Sequence, residues 1–270
     1  MSFFKKISDK LVAEKVSKKK RKRLIIFVSM ITLLSMITAT VAWFTINTFA
    51  GVDSLDVHIS VAAQLKVAMQ DYGRDLSKYG KVITNEMIDE YLAKYDTKLS
   101  EIILDPVTTT QGVRFTNQRG AERKPNDRSY LEFECYFIAT EDMWVHLTTE
   151  STKEGEDDGT KVTTNETDAR ADVVNCTRVG FTTERNGTAI YENNKGLPVN
   201  NQVTFDLPAG PMVYSNNTRL FHCQEMTPTK VTIRLWVDGE DPQCDDDVQD
   251  ADLSVQLGFI GCDNDNVPIA

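Results

Sequence analysis

The stretch LDVHISVAAQLKVAM, residues 55–69, decides the fold class. Its odd-numbered positions are all apolar, and its even-numbered positions are polar or small. An apolar residue at every second position is typical of a β-strand with one buried face. Because a strand of this length is unusual, we expect a bend near Ala62 and Ala63.

The same alternation returns in shorter stretches along the chain. These stretches are 131–137, 143–148, 178–183, 203–207, 231–238 and 253–259. Many short alternating strands separated by polar turns are typical of a sandwich whose sheets each turn one face inward. The sequence therefore predicts an all-β fold, an antiparallel β-sandwich of jelly-roll-like type. The polar stretches 151–172 and 184–202 are expected to be long exposed loops.

One accessory helix is expected beside the strands. An apolar stripe at helical spacing consists of Met87, Ile88, Tyr91, Leu92 and Tyr95. Thr84 or Asn85 is placed to cap the start of this helix. We expect the helix to cover an edge or an open end of the sandwich.

An uncharged segment precedes the strands. Residues 24–44 contain no charged side chain, and as a helix they would extend over about 30 Å, the thickness of a bilayer core. Six consecutive Lys and Arg residues, 18–23, come directly before it. Because positive residues stay on the cytoplasmic side, we predict a single transmembrane signal-anchor helix with the amino terminus inside. Cleavage after the small residues 40–42, which would release the domain, is the open alternative.

Charge divides the chain into a basic cytoplasmic tail, residues 1–23, the transmembrane segment 24–44 and an acidic extracellular domain, residues 45–270. The tail has ten Lys and Arg against two acidic residues, whereas the rest of the chain has 20 against 38. An acidic body of this kind repels phosphates, so nucleic acid is excluded as a partner. The expected partners are the lipid bilayer, whose anionic inner leaflet suits the tail, and further copies or other surface proteins.

Catalytic motifs are missing from the sequence. HExxH, GxSxG, GxxxxGK[ST] and GxGxxG do not occur. His58, His146 and His222 lie in strand-like stretches, where we expect them to be surface residues of a sheet. We therefore predict that the protein is not an enzyme.

Acidic residues crowd the stretch 238–252, between two predicted strands. Calcium prefers carboxylate oxygens, so the one cofactor that this stretch suggests is calcium. The candidate ligands are Asp241, Asp245, Asp247, Asp250 and Asp252. Their spacing does not follow the order of an EF-hand loop, and a solvated acidic loop that keeps the surface soluble is the open alternative.

Five cysteines follow residue 130. If the predicted strands 230–238 and 252–260 form a hairpin, Cys223 and Cys262 lie at the same end of it. Cys244 and Cys262 would then lie at opposite ends of one strand, about 30 Å apart and beyond disulfide reach. This hairpin predicts that a bridge among the last three cysteines joins Cys223 to Cys262.

A resemblance to a known family rests on five collinear segments. They are TVAWFTIN (40–47), AAQL (62–65), DPVTTTQG (105–112), VVNCTRVGF (173–181) and VTIRLWVDGEDPQC (231–244). In order and spacing they resemble the TasA/camelysin-like surface proteins of Gram-positive bacteria, and the first is similar to the end of a SipW-type signal segment. The resemblance implies an exported jelly-roll-like sandwich and, for the better-known members, a fibre subunit of the biofilm matrix. Camelysin-like proteins have also been classed as metallopeptidases, which the residues of this chain do not support.

The expected function is that of a membrane-anchored or secreted cell-surface structural protein, such as a biofilm-matrix fibre subunit. Residues 45–53 would serve either as a strand donated to another copy or as a spacer. An adhesin-like module that recognises glycan or protein through its long acidic loops is the alternative. Trp144 and Trp236 would then stack on sugars, although packing against a second sheet is the commoner fate of tryptophan. A type IV pilin is disfavoured, because the apolar segment has no early acidic residue.

Overall fold

The computed structural model describes residues 23–32, 50–59, 64–151, 157–193, 203–248 and 250–269. The chain divides into two compact units, Met1–Ile46 and Asn47–Ala270. In the first unit residues 23–32 are helical, while the basic tail up to residue 22 and residues 33–44 of the predicted span lie outside the described residues. Within the described ranges, no helix has both the length and the apolar character needed to cross a bilayer.

The described part of the second unit is rich in β-structure. Its strands are β1 (Ala50–Ile59), β2 (Leu65–Ala68), β3 (Val82–Ile83), β4 (Ile103–Leu104), β5 (Leu131–Ala139), β6 (Met143–Leu147), β7 (Lys161–Thr163), β8 (Thr177–Thr183), β9 (Gly187–Glu192), β10 (Thr204–Phe205), β11 (Arg219–Cys223), β12 (Thr229–Val237) and β13 (Ala251–Cys262). The α-helices are α1 (Asn85–Leu92) and α2 (Val173–Cys176). Short 3-10 turns lie at Leu76–Lys78, Ala93–Tyr95, Leu99–Glu101, Ala169–Asp172, Asn216–Thr218 and Asp246–Val248. The predicted β-rich fold is confirmed.

The strands form two sheets. Sheet A has the order β11-β6-β13-β1-β3, with β4 also paired to β1 and β7 also paired to β13. Sheet B has the order β10-β9-β8-β12-β5-β2. Both sheets are mixed, because β1 runs parallel to β13 and β10 runs parallel to β9. The expectation of purely antiparallel sheets assumed that neighbouring strands are joined by hairpins, whereas β1 and β13 come from opposite ends of the unit.

The long alternating stretch 55–69 does not form one strand. Its first part belongs to β1 in sheet A, and its second part forms β2 in sheet B. The expected bend near Ala62 and Ala63 falls on residues 60–63, which lie outside the described residues. The alternation continues through both strands because each of them turns one face toward the same core.

The apolar faces of the two sheets meet in a common core. Phe137 of sheet B lies 5.1 Å, between ring centroids, from both Phe221 and Phe259 of sheet A. Phe181 of sheet B lies 5.7 Å from Phe259, and all four phenylalanines are fully buried. Since these core residues all belong to the second unit, this unit has its own hydrophobic core, which is the main requirement for folding alone.

The predicted accessory helix is confirmed as α1. Thr84 is its N-cap residue, and Ile88 and Leu92 are fully buried in the common core. The side-chain oxygen of Asn85 accepts a hydrogen bond of 3.0 Å from the backbone N–H of Leu55, which ties the start of the helix to β1. The helix is thereby held against sheet A.

Two expectations about connections are wrong. The predicted loops 151–172 and 184–202 contain β7 and β9. β7 has only three residues, and the buried residues of β9, Ile190, Tyr191 and Glu192, are consecutive instead of alternating. The predicted hairpin of 230–238 with 252–260 does not form, because β12 lies in sheet B and β13 lies in sheet A. The acidic stretch between them crosses from one sheet to the other instead of turning back within one sheet.

Candidate functional site

The five candidate calcium ligands lie on the connection from β12 to β13 or at the start of β13. Asp241 is buried, whereas Asp245, Asp247, Asp250 and Asp252 are exposed. Among the residues whose side chains are described, no group of three or more His, Cys, Asp or Glu is arranged to hold a metal ion. The structure therefore does not gather these carboxylates around one point, and calcium binding stays a prediction.

Asp241 has a structural partner instead. Its carboxylate accepts a hydrogen bond of 2.5 Å from Arg178, and the same guanidinium nitrogen donates to Glu192 at 2.9 Å. The other terminal nitrogen of Arg178 donates to the backbone oxygens of Asn175 and Thr177. A buried cation needs compensation of this kind, because removing a charge from water is costly unless it is paired and hydrogen-bonded.

The position of this cation also bears on the calcium candidates. The guanidinium of Arg178 is shared between Asp241 and Glu192, so a calcium ion at Asp241 would have to compete with an ion pair that already exists. Sequence reasoning missed this pairing because the two residues are 63 positions apart, and the alternation of β8 alone does not show which acid meets Arg178.

The predicted cysteine bridge is excluded by the geometry of sheet A. Cys223 on β11 and Cys262 on β13 are separated by β6, where they pair with Met143 and Trp144 respectively. Two strand spacings amount to about 9.6 Å, whereas the Cα atoms of a disulfide lie about 4.4–6.8 Å apart. The pairing also places the two thiols on opposite faces, since Met143 points into the core and Trp144 points away from it.

The three histidines do not form a site. His58 and His222 are half-buried, but His146 is fully buried, which corrects the expectation of a surface residue. Burial, with Arg219 as a second cause, lowers the pKa of His146 to about 4. Its Nδ1 lies 3.1 Å from the hydroxyl of Thr218, and its Nε2 finds no hydrogen-bond partner among the described residues. His146 is therefore neutral at pH 7 and packed.

The two tryptophans proposed to stack on sugars have different surroundings. Trp236 is fully buried under Phe115, with 5.1 Å between ring centroids, so it is not available to a ligand. Trp144 is half-buried, and its indole N–H donates to the side chain of Asn264 at 3.3 Å. The guanidinium of Arg219 lies 4.5 Å from the Trp144 ring.

A groove of about 800 Å³ lies between β2, the turn that follows it, α1 and the outer face of β5. We call it the tyrosine groove, after three aromatic residues that line it. Its aromatic and charged lining residues are Tyr72, Tyr91, Tyr136, Lys78, Lys94, Asp71, Glu90 and Glu134. The sequence did not predict the groove, because its tyrosines lie far apart in the chain. In the sequence, Tyr91 belongs to the apolar stripe of a helix and Tyr136 belongs to a strand.

Local contacts hold the tyrosines at the rim of this groove. The backbone N–H of Tyr72 donates to the hydroxyl of Tyr79 at 3.0 Å, and the two rings meet edge to face at 5.8 Å. On the other side, the ammonium of Lys94 lies 3.2 Å from the centre of the Tyr91 ring. A cation over an aromatic face is attracted by the ring quadrupole, so this contact helps to hold Tyr91 in place.

Burial and charge pairing set the electrostatics of the tyrosine groove. Burial raises the pKa of the Tyr91 hydroxyl above its usual value, so the hydroxyl stays protonated and can both donate and accept. Glu134 is paired with Lys230 at 2.7 Å. Aromatic faces interspersed with hydroxyls, carboxylates and ammonium groups can bind a ligand that has both apolar faces and many hydroxyl groups.

No family model, no curated protein and no solved structure matches this chain.

Proposed function

We propose that the chain is a cell-surface structural protein that assembles with further copies of itself into an extracellular fibre. Residues 24–44 hold it in the membrane or are cleaved to release it, with the basic tail inside and the acidic domain outside. The basic, apolar and acidic order of the sequence supports this arrangement. The resemblance to the TasA/camelysin-like proteins also supports it, and we take the two-sheet fold as a variant of the jelly roll.

The observation that carries the proposal is the position of β1. This strand begins the second unit, yet it lies inside sheet A between β13 on one side and β3 and β4 on the other. Val52, Leu55 and Val57 of β1 are buried in the core. A terminal strand of this kind can be exchanged, because the slot that it fills in its own chain can be filled identically by β1 of another copy.

The same position argues against residues 45–53 acting as a mere spacer. Ala50 already pairs with Ala251 of β13 and with Leu104 of β4. Only residues 45–49 remain between the predicted span and sheet A. Removing β1 would expose the edge of β13, and an exposed sheet edge is a template for strand addition.

The test is to lock β1 into its own sheet. Asp56 and Gln256 are partners on β1 and β13, and both are half-buried. Neighbouring strands lie about 4.8 Å apart, which suits a disulfide, so Asp56→Cys with Gln256→Cys should bridge the two strands. Residues 45–270 are examined by electron microscopy and size-exclusion chromatography, and Asp56→Ser with Gln256→Ser is the matched control.

We expect filaments from the natural sequence and from the serine control, monomers from the bridged variant, and filaments again once the bridge is reduced. Filaments from the bridged variant would disprove strand exchange. Monomers from all samples, with and without millimolar calcium, would disprove the fibre function. The samples with calcium also test whether Asp241 and its acidic neighbours bind this ion. Filaments that form only with calcium would indicate a calcium site between copies.

A second function, recognition of a glycan, is favoured by the tyrosine groove. Stacking of a sugar on a tyrosine face is worth about 1 kcal/mol, so losing one tyrosine should weaken binding by roughly fivefold. Tyr72→Ala removes an exposed groove residue, and Tyr95→Ala removes a similarly exposed tyrosine outside the groove lining. Calorimetric titration with neutral oligosaccharides should show weaker binding for Tyr72→Ala alone. Equal binding by both variants would exclude the groove.

A further inference from the structure

Cys176 and Cys244 are brought together by the fold although they are far apart in the sequence. Cys176 is the last residue of α2, and Cys244 lies on the acidic connection between β12 and β13. Cys176 is fully buried in the common core, and Cys244 is half-buried against the same core. The two residues therefore meet at the place where the acidic connection crosses between the sheets.

A chain of three backbone hydrogen bonds fixes this approach. The N–H of Asp238 donates to the oxygen of Cys176 at 2.9 Å, the N–H of Asp241 donates to the oxygen of Asp238 at 3.1 Å, and the N–H of Cys244 donates to the oxygen of Asp241 at 2.9 Å. The ion pair of Arg178 with Asp241 holds the same connection from the side. The backbone at the two cysteines is therefore constrained before any covalent bond forms.

The side chains meet as well. The thiol of Cys176 donates to the backbone oxygen of Asp172 at 3.1 Å, and the side-chain contact with Cys244, followed by burial, raises the pKa of Cys176. The other cysteines are placed differently: Cys135 donates to the backbone oxygen of Val231 at 3.8 Å, while Cys223 and Cys262 lie on opposite faces of sheet A. All five cysteines, each of which is described, are free thiols in this structure.

We propose that Cys176 and Cys244 form a disulfide bond when the protein meets an oxidant, and that this bond clamps the acidic connection onto α2 and sheet B. A low-molecular-weight disulfide such as glutathione disulfide is a sufficient oxidant. Cys244 loses its proton to solvent and attacks this disulfide, because it is the more exposed thiol, and one glutathione thiolate leaves. Cys176 then loses its proton and attacks the Cys244 sulfur, so that the second glutathione thiolate leaves.

This reaction balances without any group held by the protein. Two protein thiols give up two protons and two electrons and form one S–S bond, while the S–S bond of the oxidant accepts the electrons and becomes two thiols. Because the thiolate is the attacking species and Cys176 is buried, the second step is expected to be faster at alkaline pH than at neutral pH.

The bridge has a specific structural consequence. It joins Cys244 to Cys176, and Arg178, two residues after Cys176, already holds Asp241 by an ion pair. The segment between Asp238 and Cys244 would therefore be fixed at both ends and in its middle. We expect the oxidised protein to resist proteolysis in the acidic connection more strongly than the reduced protein does.

The experiment is peptide mapping of residues 45–270 after oxidation with glutathione disulfide at about pH 8.5, a value near the ordinary pKa of a thiol. Free thiols are blocked by alkylation before digestion. Trypsin alone is insufficient, because the chain has no Lys or Arg after Arg234 and Cys244 would remain on one peptide with Cys262. A second digestion with an aspartate-specific protease cuts at Asp245 and separates the two.

We expect a linked pair of peptides that contain Cys176 and Cys244, with Cys135, Cys223 and Cys262 alkylated. Cys244→Ser should abolish the link, and Cys262→Ser should leave it intact. A link between any other two cysteines, or five alkylated cysteines in the oxidised natural sequence, would overturn the proposal. Since Cys244 is half-buried and serine is close to cysteine in size, Cys244→Ser is expected to fold, and the mapping of the natural sequence needs no variant.

Discussion

Trp236 and Trp144 occupy comparable places in their strands but very different environments. Each lies on the outer face of its sheet, opposite the residues that enter the common core. Trp236 is covered by Phe115, on which Tyr130 stacks with 4.1 Å between ring centroids. Trp144 remains half-buried, and a cation and an imidazole lie beside its ring instead of a second layer of apolar side chains.

The difference comes from a segment that is distant in the sequence. Residues 105–130 lie over the outer face of sheet B, and the backbone N–H of Val107 donates to Val237 at 3.1 Å. The N–H of Gly239 donates back to Val107 at 2.9 Å, so the segment is tied to the end of β12. An outward-facing residue of a sandwich is therefore exposed or buried according to whether another part of the chain happens to cover it.

The largest expected effect is the loss of the covered tryptophan. Trp236→Ala should lower the free energy of unfolding by about 3–5 kcal/mol, because it empties a fully buried site under Phe115. Trp144→Ala should lower it by only about 1 kcal/mol or less, since this side chain is partly in water. Chemical denaturation of both variants measures the difference. Similar losses of stability for the two variants would contradict the conclusion that only Trp236 is covered.

His146, on the outer face of sheet A, is a second outward-facing residue that is buried. Its burial should make the free energy of unfolding depend on pH. The unfolded chain binds this proton near pH 6.5, whereas burial lowers the pKa of His146 in the folded protein to about 4. Between these pH values the unfolded state binds more protons than the folded state. The contribution of His146 to the free energy of unfolding is therefore fully present above pH 6.5 and is lost as the pH drops toward 4.

Over this window the loss due to His146 should reach about 3 kcal/mol. His146→Asn keeps a polar group near Thr218 and removes the titration. Denaturation at several pH values should therefore give a smaller loss between pH 7 and pH 4.5 in this variant than in the natural sequence. Parallel curves for the two proteins would show that the imidazole is not excluded from water.

A smaller loss of stability is expected where Gly180 makes room for the Trp236 ring. A Cβ atom at Gly180 would lie 3.1 Å from Cζ3 of Trp236, closer than ordinary contacts. We expect Gly180→Ala to cost about 1–3 kcal/mol by overpacking. Gly51→Ala is the matched control, because a Cβ there meets nothing within 4 Å, and its effect should be close to zero. Combining Gly180→Ala with Trp236→Phe should recover part of the loss.

The smallest expected effect concerns the half-buried Trp144. The guanidinium of Arg219 lies over Trp144, and it also donates to the side chain of Asn266 at 2.8 Å. A double-mutant cycle of Arg219→Ala and Trp144→Ala should give a coupling energy of about 0.5–1 kcal/mol, typical of an accessible cation–π contact. A coupling energy of zero would mean that the two side chains are neighbours without an energetic connection.

Much of the fold was predictable from local pattern. The alternation at 131–137, 143–148, 231–238 and 253–259 predicted strands that the structure confirms, because a strand with one buried face repeats every two residues wherever it lies. The stripe around Ile88 predicted α1 for the same kind of reason. By contrast, β7 and β9 were missed, since β7 has only three residues and β9 buries consecutive instead of alternate residues.

The candidate sites were much less predictable. The acidic stretch was visible as composition, but only the fold shows that Asp241 is taken by Arg178 and that the other four acids remain exposed. The tyrosine groove and the meeting of Cys176 with Cys244 had no signal in the sequence. Each of them joins residues that belong to separate strands, helices or connections.

The sequence by itself determined that this chain has a basic end, an uncharged segment and an acidic β-rich body, because charge and side-chain periodicity are local properties. The tertiary structure decided which strands are neighbours, so that β1 lies parallel to β13 and β12 belongs to the other sheet. It also decided which cysteines meet and which tryptophan is covered. Those outcomes depend on contacts between residues far apart in the chain, and many alternating strands are compatible with more than one order in a sheet.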